Sequence, residues 1–190
     1  MTPRLLALIP LAVGINLALG KLVAATGLPI YLDSVGTVLV ACLTGLVPAL
    51  ITGTISQVVM TIIDTPTWLA FLPVQLAIGA YAALAARYGM FRSTARAVVA
   101  GLGLGLVGSV ISWPISYLVF GGVTVTGVTI VTTALTGLGV PLKWAVLASS
   151  LGSDLADKTV VFLLVRAVLA GLPRRAAARF PGAARALGRS

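Results

Sequence analysis

Charged residues are scarce in this sequence: they make up 9% of its 190 residues, against about 25% in soluble domains. The mean hydropathy is +1.12, and 59% of the residues are hydrophobic. This composition excludes a soluble globular protein and predicts an integral membrane protein. Because a transmembrane helix takes about 20 residues, the chain has room for about five to seven spans and for no separate soluble domain.

Several residue types on which enzymes and metal sites depend are missing. The sequence has no histidine, its four acidic residues are all aspartates, and Cys42 is its one cysteine. Without histidine it lacks the commonest metal ligand and the commonest general base at neutral pH. The nucleotide-binding pattern GxxxxGK[ST] and the hydrolase patterns HExxH and GxSxG are also absent. We therefore expect no catalytic residues, no cofactor, no metal site and no ATP hydrolysis by this chain.

The apolar sequence divides into six predicted spans, which makes the expected fold an all-α, integral membrane six-helix bundle. The spans are predicted at about 5–25, 33–48, 49–63, 68–86, 97–120 and 142–172. The last is long for one span and is expected to tilt, to kink near Gly152 or to extend beyond the bilayer. Residues 121–141 favour strand by propensity, but a lone strand cannot satisfy its backbone inside a membrane. An outer loop is therefore predicted there, with a short or re-entrant helix as the alternative.

The distribution of basic residues along the sequence predicts the orientation of the chain in the membrane. If both termini are cytoplasmic, the inner segments hold most of the cationic residues and the outer segments hold only Lys21 and Lys143, as the positive-inside rule requires. This distribution accounts for the net charge of +9, so no nucleic-acid binding is expected. Residues 1–172 form the predicted membrane domain, and residues 173–190 form a basic cytoplasmic tail that is expected to lie on anionic lipid or to dock a partner. The inner cationic residues are Arg4, Arg87, Arg92, Arg96, Arg174, Arg175, Arg179, Arg185 and Arg189.

Three ionisable residues, Asp154, Asp157 and Lys158, lie inside the last apolar stretch. A charge near the bilayer centre costs roughly 2.5–3.5 kcal/mol, so such residues normally face a cavity or a partner rather than lipid. Asp154 and Lys158 are four residues apart and share a helix face. They either line a ligand site, with Asp154 the deeper candidate, or neutralise each other as a structural pair between spans.

Other polar and aromatic residues are candidates for ligand contact. Tyr31, Asp33 and Thr37 surround the start of span 2, where Asp33 or Ser34 could instead cap the helix. Two aromatic residues of span 5 share a face and could stack a ring or merely pack, and two buried amides could bind a ligand or join helices. These four residues are Trp113, Tyr117, Gln57 and Gln75. Asp64 is expected to cap a helix, and Trp68 is expected at the membrane interface.

Three segments resemble one family of transport proteins: LPIYLDSVGT at 28–37, DLADKT at 154–159 and LPRR at 172–175. Together with the size, the predicted spans and the small residues of span 1, they resemble the substrate-binding S components of energy-coupling factor (ECF) vitamin and micronutrient transporters. The resemblance implies an outward-facing pocket, a first outer loop that covers it, and docking through small residues of span 1. Gly14 and Ala18 are the docking candidates.

From these features we predict a multi-pass protein of a prokaryotic plasma membrane that captures a vitamin-like small molecule from outside. The resemblance implies that a transmembrane coupling subunit and two ATPase subunits drive uptake. Aspartates favour a neutral or cationic cargo, such as a thiamine-like or pyridoxamine-like molecule, although Lys158 could serve an anion. The alternative is a sensory or scaffold module that binds a partner or lipid and transports nothing.

Overall fold

The computed structural model describes residues 3–124, 127–173 and 179–188, and within these residues it contains helices and turns but no strand. This confirms the predicted all-α class. Eight α-helices and one 3-10 helix are present in the described part of the chain. They are α1 (Pro3–Thr26), α2 (Val35–Thr44), α3 (Leu46–Ile63), the 3-10 helix (Pro66–Phe71), α4 (Leu72–Arg87), α5 (Thr94–Leu118), α6 (Gly127–Gly137), α7 (Leu142–Gly171) and α8 (Pro181–Leu187).

Four helical segments are long and apolar enough to cross a membrane, which is consistent with a multi-pass membrane protein. They are Ala7–Thr26, Leu46–Ile63, Pro66–Arg87 and Thr94–Leu118. The other two predicted spans differ from these. Helix α2 has ten residues and is therefore about 15 Å long, half of the roughly 30 Å hydrocarbon core. Helix α7 has 30 residues, which gives it about 45 Å, but it carries the charged cluster.

The segment predicted as an outer loop contains a helix, so the helical alternative holds for residues 127–137. Val128 and Thr132 of α6 are buried, and the hydroxyl groups of Thr132 and Ser149 on α7 lie 2.6 Å apart. Strand propensity is overridden here because the helix satisfies its own backbone and packs one face on α7. Val125 and Thr126, which contribute to that propensity, lie outside the described residues.

Glycines on α5 allow it to lie directly against the backbone of α7. A β-carbon at Gly101 would stand 2.7 Å from the Cα atom of Thr159, and one at Gly105 would stand 2.7 Å from the Cα atom of Leu155. Such distances leave no space for a side chain, so the close approach depends on glycine. The close packing fixes Asp154, the neighbour of Leu155, against α5.

The helices alternate in direction, and this gives the bundle two different ends. At the first, which we call the polar end, α1, α3 and α5 finish and α2 and α4 begin. The second is called the arginine end, because Arg87, Arg92 and Arg96 lie at or between the ends of α4 and α5 there. Polar side chains from α1, α3, α4, α5 and α7 meet near the polar end.

The described part of the C-terminal tail packs on the arginine end. Ala183 and Ala186 of α8 are fully buried, and a β-carbon at Gly182 would lie 2.3 Å from the carbonyl oxygen of Cys42 on α2. The expected lipid-bound tail is therefore, in part, a helix docked on α2 and α4. Arg179 and Arg185 are exposed, whereas Arg174, Arg175 and Arg189 lie outside the described residues.

Candidate ligand-binding cavity

A cavity of about 140 Å³ lies among the helices near the polar end. An engineered protein cavity of about 150 Å³ accepts benzene, so this volume suits at least one six-membered ring. Apolar side chains form part of its wall, but ionisable and amide side chains also face it. The polar residues that line it are Asn16, Lys21, Tyr31, Asp33, Ser56, Gln57, Asp64, Gln75, Ser112, Thr124, Asp154 and Lys158.

The structure brings together most of the site residues predicted from the sequence. The ones that line the cavity come from the α1–α2 connection, α3, α4 and α7, which are distant in sequence. Buried polar groups in an apolar bundle collect where they can be satisfied, because each unpaired group costs free energy. The predicted residues in the lining are Tyr31, Asp33, Gln57, Gln75, Asp154 and Lys158.

Three predicted residues lie elsewhere. Thr37 is fully buried behind the cavity, where its hydroxyl group accepts a hydrogen bond of 2.9 Å from Asn16. Trp113 and Tyr117 do share a face of α5, with ring centres 6.5 Å apart, but they do not line the cavity. Instead the Lys143 ammonium group lies 6.0 Å from the centre of the Trp113 ring.

Asp154 and Asp33 are held at the cavity wall by neutral hydrogen-bond donors. Ser112 of α5 donates a hydrogen bond of 2.8 Å to Asp154 Oδ2, and the Gln75 amide group donates one of 3.3 Å to Asp33 Oδ2. Asp154 is almost completely buried, with 4% of its surface exposed. These bonds orient both carboxylates without neutralising them.

Asp157 and Lys158 have a different arrangement. The two side chains contact each other, and Lys158 Nζ also lies 3.4 Å from Ser34 Oγ and 3.9 Å from Asp33 Oδ1. The structural pair expected between Asp154 and Lys158 is thus formed by Asp157 and Lys158, while Asp154 turns to Ser112. Ser34 precedes α2, but its side chain makes no capping bond.

The connection between α1 and α2, residues 27–34, is attached to α7 at three points. Asp157 Oδ1 accepts hydrogen bonds from the backbone N–H groups of Tyr31 and Leu32, and Ser153 donates a bond of 2.6 Å to the carbonyl oxygen of Pro29. Leu32 adopts a positive φ of 50°, which costs a residue with a β-carbon about 1–2 kcal/mol. These contacts hold the connection over the cavity, with Tyr31 in the lining.

The two ionisable groups of this connection respond to their burial. Burial raises the pKa of Tyr31, and the negative charge of Asp154 raises it further, so the hydroxyl group stays protonated. Burial also raises the pKa of Asp33, because it disfavours the carboxylate, whereas Lys158 acts in the opposite direction. A positive charge placed in the cavity would favour the ionised form of Asp33.

The cavity contains several buried polar atoms that have no hydrogen-bond partner. Asp33 Oδ1 and Gln75 Oε1 are acceptors, Trp68 Nε1 is a donor, and Thr124 Oγ1 can act as either; all four residues line the cavity. In the described part of the chain, the one other such atom is Arg166 Nε, outside the lining. Because buried polar groups are normally paired, this concentration marks a place where a polar molecule can bind.

Several contributors were not singled out from the sequence. Asn16 donates to Thr37 and Ser56 and accepts from the Gly36 backbone N–H, so it joins α1, α2 and α3. The sequence did indicate that Asn16 is structurally important, because it is the one asparagine in the sequence and lies inside an apolar span. Ser112 gave no such signal, since serine is common in membrane helices.

An aromatic group forms another part of the wall. Trp68, expected at the membrane interface, and Phe71 both line the cavity, and Phe120 stacks on Phe71 with ring centres 5.2 Å apart. The Trp68 backbone carbonyl also accepts a hydrogen bond from Gln57. The cavity thus offers aromatic surface on one side and carboxylates on another.

Lys21 and Asp64 form an ion pair at the border of the cavity, between α1 and the end of α3. Both side chains are partly exposed, at 46% and 29%. Asp64 therefore serves this ion pair, and the 3-10 helix that follows begins without a side-chain cap. Because the pair lies at the polar end, where α1 and α3 finish, we expect a solute to enter past it.

No protein-family model matches this chain, and no curated protein or solved structure is significantly similar to it. The function is therefore inferred from the cavity and from the surfaces of the bundle.

Proposed function

We propose that this protein is a membrane-embedded substrate-binding subunit that captures a vitamin-like small molecule from outside the cell for ATP-driven uptake. The observation that carries the proposal is the cavity at the polar end, in which unpartnered polar atoms surround space for a ring. A structural core would instead pair these atoms or replace them with apolar groups, because an unpaired buried group costs about 1–3 kcal/mol.

The distribution of charge supports an outward-facing cavity. Arg87, Arg92 and Arg96 lie at the end of the bundle opposite to the cavity, and the positive-inside rule assigns such clusters to the cytoplasm. In this proposal α1 to α5 and α7 make six crossings, the short α2 together with the connection that precedes it, so that both termini are cytoplasmic. The membrane is then the plasma membrane of a prokaryote, as the resemblance to S components implies.

The attachment of residues 27–34 to α7 supports a covering role for this connection. Its contacts depend on Ser153 and Asp157, whereas Tyr31 contributes to the cavity wall. In this proposal the connection closes over the cargo, as expected for the first outer loop of an S component.

The outer face of α1 supports association with a partner in the membrane. Gly14 and Ala18 are exposed on this face, and a β-carbon added at Gly14 would meet no atom within 4 Å. Small residues on a lipid-facing surface allow another helix to approach closely. We assign this face to a transmembrane coupling subunit, which in turn binds two ATPase subunits of an ECF module.

The proposal is tested by mass spectrometry of small molecules that copurify with the detergent-extracted protein. We expect one compound at a substantial fraction of the protein concentration, and expect its amount to fall in the Gln75→Ala variant. Arg96→Gln, a substitution at the exposed arginine end, is the matched control. If the wild-type protein carries no compound and takes up none when it is coexpressed with ECF modules, it is not a transport subunit; a sensory or scaffold role then remains.

A further inference from the structure

The negative charges of the side chains at the cavity outnumber the positive ones. Four carboxylates stand at the lining or directly behind it, and they face only two ammonium groups, those of Lys21 and Lys158. Lys21 is paired with Asp64, and Lys158 contacts Asp157. The two remaining carboxylates, Asp33 and Asp154, both face the cavity. Asp33 only shares Lys158, whose Nζ lies 3.9 Å from Asp33 Oδ1, and Asp154 has no ion-pair partner among the described residues.

Lys158 does not alter this balance in favour of an anionic ligand. An ammonium group has three N–H donors, and Lys158 Nζ donates to Asp157 Oδ2 and Ser34 Oγ. Asp33 Oδ1 lies 3.9 Å away, within ion-pair distance but beyond hydrogen-bond distance. Two of its donors are therefore directed at protein groups, and its charge is shared by Asp157 and Asp33. A bound carboxylate or phosphate would have to displace one of them, and it would also lie near Asp33 and Asp154.

The unpartnered atoms near Asp33 require donors from a ligand. Because a carboxylate only accepts hydrogen bonds, the Gln75 side chain must turn its NH₂ group to Asp33. Gln75 Oε1 is then left as an acceptor without a partner, as is Asp33 Oδ1. Gln75 is 4% exposed, so water outside the bundle does not satisfy this oxygen.

The aromatic part of the wall favours the same kind of ligand. Trp68 and Phe71 line the cavity, with ring centres 5.4 Å apart. The faces of aromatic rings attract cations, by about 0.5–2 kcal/mol depending on how far the site excludes water. They also stack on flat rings.

We infer that the cavity binds a small organic cation: a flat ring compound whose N–H groups donate to Asp33, Gln75 and Asp154. This inference rests on the proposed function, because it assumes that the cavity holds a ligand. The Trp68 N–H group then faces an acceptor atom elsewhere on the same molecule.

Three probes of nearly equal shape test the charge of the ligand: benzamidinium, benzamide and benzoate. Their binding to the purified full-length protein in nanodiscs is measured by calorimetry. We expect benzamidinium to bind at least tenfold more tightly than benzamide, and benzoate to bind least. In Asp33→Asn and Asp154→Asn, which preserve side-chain size, the ratio of the affinity for benzamidinium to that for benzamide should fall about tenfold.

A cooperative thermal unfolding transition shows that a variant is folded, and Arg96→Gln controls for the loss of a distant charge. Binding of benzoate equal to or tighter than that of benzamidinium overturns the inference, and so does the absence of binding by all three probes. An anionic compound found in the copurification experiment overturns it too, but leaves the proposed function intact. Conversely, a preference for benzamidinium without any copurified or transported compound supports the cationic site and contradicts the transport function.

Discussion

The carboxylate of Asp157 accepts hydrogen bonds from the backbone N–H groups of Tyr31 and Leu32, at 2.9 and 2.7 Å. The same carboxylate contacts the Lys158 ammonium group. Asp157 is fully buried and does not line the cavity, so we expect it to position its neighbours rather than to contact a ligand. Asp157 therefore links three features of the site: the α1–α2 connection, the charge of Lys158 and the position of α7.

Replacing Asp157 by alanine should destabilise the protein by about 3–5 kcal/mol, because it leaves the Lys158 charge buried without its closest partner. Unfolding in mixed SDS micelles measures this loss. The double variant Asp157→Asn with Lys158→Met removes both charges and should recover at least half of it. A loss below about 1 kcal/mol for Asp157→Ala would show that the ion pair and the two backbone bonds contribute little.

Gly36→Ala should destabilise the bundle by about 1–3 kcal/mol, since an added methyl group forces α2 away from α1. Its β-carbon would stand 2.1 Å from the carbonyl oxygen of Ala12, and the shift would also strain the bond from the Gly36 N–H group to Asn16. Gly14→Ala is the matched control on α1: it meets no atom within 4 Å and should be neutral or stabilise by up to about 1 kcal/mol. Equal effects of the two substitutions on unfolding would contradict the close approach of α1 and α2.

Breaking the ion pair between Lys21 and Asp64 should change the kinetics of ligand binding more than the stability. A partly exposed pair contributes about 0–1 kcal/mol, but this one borders the cavity. In Lys21→Met, stopped-flow measurements should show faster association and dissociation of benzamidinium, by about threefold or more. The exchanged pair, Lys21→Asp with Asp64→Lys, should restore rates near those of the wild type. Unchanged rates in Lys21→Met would place the entrance elsewhere.

Bulky residues on the outer face of α1 should separate binding from transport. Gly14→Leu and Ala18→Leu add side chains where the described structure is open, so the affinity for the copurified compound should stay within twofold. Uptake by cells that coexpress an ECF module should fall at least tenfold if this face docks the coupling subunit. Leu11→Met, at a neighbouring exposed position, should leave both unchanged. Normal uptake in both leucine variants would assign docking to another surface.

Cysteine labelling should test the orientation with little background, because the native Cys42 is fully buried. A membrane-impermeant maleimide added to intact cells should label Leu138→Cys, at the polar end, and should fail to label Ser93→Cys, at the arginine end. Both positions are exposed. Labelling of Ser93→Cys from outside would reverse the proposed topology.

The helical class and several site residues were predictable because the membrane restricts what a polar residue can do. Asp154 and Gln75 have few places in an apolar bundle other than a shared interior. The boundaries of α1, α3 and α5 also follow the ends of apolar stretches within a few residues. These predictions depend on composition and hydropathy, which can be calculated directly from the sequence.

The orientation of a side chain around its helix was harder to predict. In a soluble helix the apolar face points inward, but α5 is apolar on all sides, since both lipid and protein suit apolar residues. Trp113 and Tyr117 were therefore placed correctly on one face, but the sequence did not show that this face lies away from the cavity. Trp68 was difficult for a related reason, because an aromatic residue near a helix end suits an interface and a cavity wall equally. It lines the cavity, and its position at the membrane interface stays a prediction.

The backbone of Leu32 has a mechanical consequence for the segment that covers the cavity. In the closed arrangement its left-handed conformation is held under tension by the hydrogen bond to Asp157. In the proposed opening of this segment Leu32 can leave this conformation, which releases about 1–2 kcal/mol of strain. Two of the three bonds that attach the segment to α7 end on the Asp157 carboxylate, so the strained conformation and most of the attachment are lost together.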